Sequence, residues 1–119
     1  MAAPAPKRTV LDSAPSLGRL FARAALTARG RGGALPGTRL ARTGVAVDPA
    51  ALAEYDRVCR FPLTDVLPAT YPHVLAFPLQ VALMTDRSFP LALPGLVHVR
   101  NRIEVLRPVR ADEPLDLEV

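Results

Sequence analysis

Two hydrophobic spacings divide the chain. In "SLGRLFARAALTARG" the apolar residues Leu17, Leu20, Phe21, Ala24, Ala25 and Ala28 recur at intervals that put them on one face of a helix. Ser13 or Ser16 serves as N-cap and Gly30 as the stop, and Arg19, Arg23 and Arg29 occupy the opposite face. After the flexible break "GRGGALPG", the stretch "TGVAVDPAALAEYDRVC" predicts a short strand running into a second helix. Asp48 caps that helix, Pro49 takes its first position, and Leu52, Tyr55 and Cys59 form its apolar stripe. The prolines of "RFPLTDVLPATYPHVLAFP" push their predecessors toward extended backbone, which predicts an extended run from Thr70 to Phe77. Pro78 then opens a helix over "PLQVALMTD", with Leu79, Ala82, Leu83 and Met84 as its apolar face.

From Leu96 to Leu106 the period falls to two. Val97, Val99, Asn101, Ile103 and Val105 point one way, and His98, Arg100, Arg102 and Glu104 the other, as in a strand with one core face. "RADEP" supplies a turn, and "LDLEV" begins another alternating strand. With nothing to pair behind it, that strand leaves open backbone groups and an uncovered apolar face, so the expectation is a domain incomplete at its C-terminus.

Composition narrows the classes. A chain of 119 residues, half of them hydrophobic, holds one modest domain at most. Cys59 is the single cysteine, which excludes an intrachain disulfide or a cysteine-rich zinc site and makes a reducing, cytoplasmic setting the default. Prolines break up every apolar run before it reaches the roughly 20 residues that cross a bilayer. Residues 1–43 carry eight Lys/Arg against one acid, and residues 44–119 carry seven against ten. The basic character therefore belongs to a leader, 1–43, and the body is 44–119. The leader's single aromatic, Phe21, argues against a nucleic-acid surface, which interleaves basic and stacking groups. An Arg-rich amphipathic N-terminus also describes a transit peptide, but a helix lying on its own protein is the reading favoured here.

Candidate chemistry is sparse. His73 and His98 stand 25 apart, without the cysteines or acids that would complete a zinc site, so no metal ligand set is assigned. Ser16 and Ser88 lie in no Gly-x-Ser-x-Gly turn, and "GRGG" lacks the flanking strand and helix of a phosphate loop. Asp65 and His73 are separated by a proline-rich turn, which leaves His73 a helix-end or solvated residue rather than a base. His98 and the chain's single asparagine, Asn101, fall on opposite faces of the predicted strand. They are thus expected to be polar anchors, Asn101 in particular because a buried amide without partners costs roughly 1 to 3 kcal/mol.

Three segments together carry a resemblance: "LPATYPHVLAFP", "FPLALPGLVHVRNRIEVLRPV" and "VRADEPLDLEV". They resemble the first half of the MaoC-like acyl dehydratases and (R)-specific enoyl-thioester hydratases, two-hotdog proteins of fatty-acid metabolism, over roughly residues 44–119. The likeness departs in the turn, where Asp112 and Glu113 stand in place of the family's Gly-Asp, and Asn101 is followed by Arg102 rather than the proline of the catalytic Asn-Pro. The resemblance implies an α+β fold, a partial hotdog with a curled antiparallel sheet around a central helix, preceded by the N-terminal amphipathic helix. It also implies the non-catalytic half, with no catalytic residue of its own and no cofactor. Its partners would be an acyl thioester, on coenzyme A or acyl carrier protein, and a second hotdog domain or chain. On that analogy Tyr71, Phe77, Leu79, Leu83 and Phe89 line an acyl channel, although each reads equally as core. Two alternatives stand beside this: a non-catalytic acyl-binding or interaction subunit that pairs with a second hotdog chain, and a hotdog thioesterase.

Overall fold

The computed structural model describes residues 6–119. Three helices accompany an open three-stranded sheet, and the longest of them packs on it, the partial hotdog architecture expected. The strands are β1 (Arg8–Val10), β2 (Arg39–Val45) and β3 (Leu115–Glu118), in the order β1-β2-β3. β1 runs parallel to β2 in the register Arg8 to Arg39, Thr9 to Leu40 and Val10 to Ala41. β3 runs antiparallel to β2, and its "LDLEV" alternation places Leu117 in the core and Glu118 outside. This last strand pairs with β2 on one side and, among the described residues, leaves its other edge open.

The β2–β3 register shifts between Arg42 and Val45. Gly44, at φ 63°, supplies the left-handed backbone of this irregularity, and its N–H donates to Asp116 Oδ1 at 2.9 Å. The shift lets Val45, like Ala41, point into the core. β2 also runs through residue 43, and β1 lies wholly within the basic segment, so residues 8–10 and 39–43 belong to the same sheet as β3.

Helix α1 (Leu17–Leu26) starts after Ser16 and packs against the long helix α3 (Tyr71–Thr85). It ends a turn before Gly30, because Thr27 closes it: the Thr27 N–H and hydroxyl both donate to Arg23 O, at 3.0 and 2.8 Å. Ala24 is its one buried residue, whereas Phe21 and Ala25 of the expected stripe are exposed. Helix α2 (Pro49–Cys59) starts as its sequence dictates, with Asp48 Oδ1 accepting from Ala50 N at 3.0 Å. It stops at Arg60, whose φ of 59° is left-handed, and Phe61 N–H reaches back to Asp56 O at 2.8 Å. Leu52 is buried and Tyr55 half-buried, but Cys59 is exposed and Asp56 takes the inward position in its place.

Helix α3 (Tyr71–Thr85) corrects the extended run predicted from Thr70 to Phe77. Pro72 sits in the first turn, where a missing N–H is harmless, and Pro78 lies inside the helix, where it removes one hydrogen bond. Burial outweighs that loss: Tyr71, Leu79, Val81 and Thr85 are all buried, Leu79 and Thr85 completely. Leu79 meets Val45 and Leu117 of the sheet, while Tyr71 meets Val47, Leu52 and Leu67. Leu75 and Leu115 touch both clusters and join them into one core.

The strand predicted over Leu96–Leu106 does not form. Every residue from 95 to 108 is exposed, Val99 at 90% and Leu106 at 95%. The alternation is real, but no neighbouring strand within the described residues offers it a ladder, and period-two patterning becomes a strand only when paired.

Candidate acyl-binding site

The N-terminal end of α3 is the best-built corner of the molecule. Tyr55, on α2, shares a hydrogen bond of 2.5 Å with Thr70, the residue before α3, and its ring lies 5.1 Å from that of Tyr71 and 6.1 Å from that of Phe61. Burial pushes the Tyr71 phenol above its ordinary pKa, and the carboxylates of Asp48 and Asp56 add to the shift. Beneath this corner the segment 65–67 pairs with 109–111: Leu67 N–H donates to Val109 O and Ala111 N–H to Asp65 O, each at 2.8 Å. Arg110 bridges to Asp65 at 2.8 Å and to Asp112 at 3.1 Å. The "RADEP" turn is closed by Glu113, whose Oε1 accepts from Arg110 N at 2.8 Å while Arg107 Nη2 donates to its other oxygen at 2.8 Å. These bonds hold the Glu113 carboxyl down from 4.5 to about 2.

Between α3 and this turn lies a concavity of about 470 Å³, walled by Leu67, Pro68, Ala69, Pro72, Val105 and Pro108. Apart from Arg107 its walls are apolar, its volume lies in the usual range for a small-molecule site, and it adjoins the positive end of the α3 dipole. The sequence signal for it was "LPATYP", noticed as part of a resemblance but not converted into lining residues. A second cleft, of about 720 Å³, runs beside the C-terminal half of α2 between Ala53, Asp56, Arg60 and Phe61. Asp56 is 2% exposed and its Oδ1 has no hydrogen-bond partner.

The five residues expected along an acyl channel are not gathered on one wall. Tyr71 belongs to the core under the α2–α3 corner, Leu79 to the core over the sheet, Phe77 is 37% exposed, and Leu83 and Phe89 are half-buried farther along. Tyr71 and Leu79 are both buried. His98 and Asn101, expected as anchors, are both exposed. His98 Nε2 meets only the carbonyl of Arg100, at 2.8 Å, so neither residue ties the segment to another element among the described residues. The physical reason is the missing strand: without a covering neighbour, no buried amide needs satisfying. His73 Nδ1 meets Gln80 Nε2 on its own helix at 3.1 Å. Among the described residues no three histidine, cysteine or carboxylate groups converge as a metal site would require, and no helix is long and apolar enough to cross a membrane.

The chain is 32% identical over 85 residues to 3-hydroxyacyl-thioester dehydratase X of Mycobacterium tuberculosis (strain ATCC 25618 / H37Rv), a match covering 71% of this chain and 30% of the relative. The chain thus spans less than a third of the length of the curated relative it matches. No family model matches the chain, and no solved structure matches it. The similarity agrees with the open sheet packed on α3 and with the three segments that carry the sequence resemblance.

Proposed function

We propose that the chain is the N-terminal scaffold and acyl-binding half of a (3R)-3-hydroxyacyl-thioester dehydratase or (R)-enoyl-thioester hydratase of fatty-acid metabolism. The similarity to a named 3-hydroxyacyl-thioester dehydratase carries the reading. Two features of this chain support the finer division of labour. The apolar concavity at the α3 N-terminus offers a place for an acyl chain. The exposed alternating segment from Leu96 to Leu106 offers a second hotdog domain a strand to pair with.

The reaction is reversible addition of water across a trans-2-enoyl thioester. A carboxylate and an imidazole polarise the water, and backbone N–H groups at a helix N-terminus hold the enolate-like oxygen. In this chain each imidazole has another occupation, His73 with Gln80 and His98 with the Arg100 carbonyl, so the proton-handling pair is assigned to the second hotdog.

The chain alone is therefore expected to bind a saturated acyl thioester, with NMR shifts at Ala69 and Val105, and to show no hydration of crotonyl or longer enoyl thioesters. Ala69→Phe fills the concavity and is expected to weaken that binding at least about ten-fold, the scale of one lost apolar contact surface. Turnover above background by the purified chain overturns the scaffold assignment, and unaltered binding by the Ala69 variant overturns the acyl site.

A further inference from the structure

At the far end of α3, opposite the acyl concavity, the two helices α1 and α3 finish side by side. Helix C-termini present unsatisfied carbonyls and a negative partial charge. Arg31 answers both. Its Nε donates to Thr27 O and its Nη2 to Thr27 Oγ1, each at 2.8 Å, at the end of α1. Its remaining donors reach Thr85 O at 3.1 Å, Asp86 O at 2.7 Å and Phe89 O at 3.0 Å, at the end of α3. All five donors of the guanidinium are thus used on neutral oxygens, and its positive charge is left without a carboxylate.

Arg31 forms one wall of a concavity of about 210 Å³ whose other walls include Thr27, Arg29, Gly30 and Arg87. Three arginines therefore line one small hollow. None of the three forms an ion pair among the described residues, and no carboxylate lines the hollow. Asp86, which precedes Arg87, has its Oδ1 committed to the Ser88 N–H at 2.9 Å and the Ser88 hydroxyl at 2.6 Å. Arg29 and Arg87 make no hydrogen bond within the described residues, so their donors are available to a ligand.

We propose that this hollow between the ends of α1 and α3 is a binding site for a soluble phosphoryl anion, a phosphate monoester or diphosphate group, held by Arg29 and Arg87 over the fixed charge of Arg31. Arginine suits the ligand because its fork of N–H donors matches phosphate oxygens in pairs. The hollow is smaller than a drug-sized pocket, which fits one compact anion rather than an extended polymer. Arg31 acts as a positioning residue: it cancels the helix poles that would otherwise repel an anion and gives none of its own hydrogen bonds to it.

The test is titration of the full chain with inorganic pyrophosphate, followed by calorimetry and by NMR shifts. The double variant Arg29→Gln, Arg87→Gln changes only exposed side chains without structural bonds, and is expected to fold unchanged. A second double variant, Arg19→Gln, Arg100→Gln, removes the same charge at positions outside the hollow. The expected result is saturable binding with shifts at Gly30 and Thr27, weakened at least about ten-fold by the first variant and less than about two-fold by the second. Equal weakening by both variants means diffuse attraction to a basic surface and overturns the site. So does the absence of saturable binding, or binding to phosphatidylglycerol vesicles without binding to pyrophosphate.

Discussion

Individual side chains show which sequence signals translate directly into contacts. Asp48 was legible as a cap because Asp-Pro before a helix satisfies a free N–H in one way only, and the structure shows that bond. Asp56 was not legible: nothing in "AEYDRVC" distinguishes the acid that turns inward from the cysteine that turns out. Its unpartnered Oδ1 is a cost to the fold. Asp56→Asn, which keeps the shape and removes the charge, is expected to raise the urea midpoint; a lowered midpoint would assign Asp56 a stabilising partner. Glu113 gives a pH-dependent prediction. Its carboxyl is held down from 4.5 to about 2 by Arg107 and the Arg110 N–H, so its contribution is full above pH 4.5 and fades as pH falls toward 2. In a carboxyl-detected NMR titration, Arg107→Gln should move the Glu113 midpoint up toward 4.5, and an unmoved midpoint refutes the pairing.

At the level of elements, the two errors of sequence reading share one cause. Proline was given the power to end a helix between Thr70 and Phe77, and alternation the power to make a strand between Leu96 and Leu106. Both are local rules, and tertiary contact decided each case. α3 persists through Pro78 because Tyr71 before it and Leu79 and Val81 after it are buried. Pro78→Ala is accordingly expected to stabilise the chain by about 1 to 3 kcal/mol in urea unfolding, since an interior proline costs roughly 3 kcal/mol in an isolated helix. A loss of stability would mean that the ring itself fills space the methyl cannot. Arg31 joins elements in a way no local pattern announces, because its partners lie 54 to 58 residues away. Arg31→Lys, which keeps the charge but loses the fork, is expected to speed amide exchange at Thr27 and at Phe89, in the turn after α3, by roughly ten-fold, consistent with about 1.4 kcal/mol.

For the molecule as a whole, the class of fold was readable and the extent of the sheet was not. Helix α2, strand β3 and the turn before it follow from their own residues, and so does the likeness to hotdog dehydratases. The parallel pairing of β1 with β2 depends on a crossover through α1 and on Glu118, which binds Arg8 at 2.7 Å and Arg39 at 3.1 Å. Such long-range pairing leaves no period in the sequence. The row of bare valines and leucines from Val97 to Leu106 sets the behaviour of the isolated chain: sedimentation at rising concentration is expected to show self-association. Val99→Lys with Val105→Lys should abolish it, and a monomer at all concentrations without these changes would mean that the segment folds back on its own surface.

The crossover also bears on how the N-terminus can be handled. A processing protease cutting anywhere between Leu26 and Arg39 would release β1 and α1 together, strip β2 of one neighbour, leave Glu118 with half its cations and bare the flank of α3.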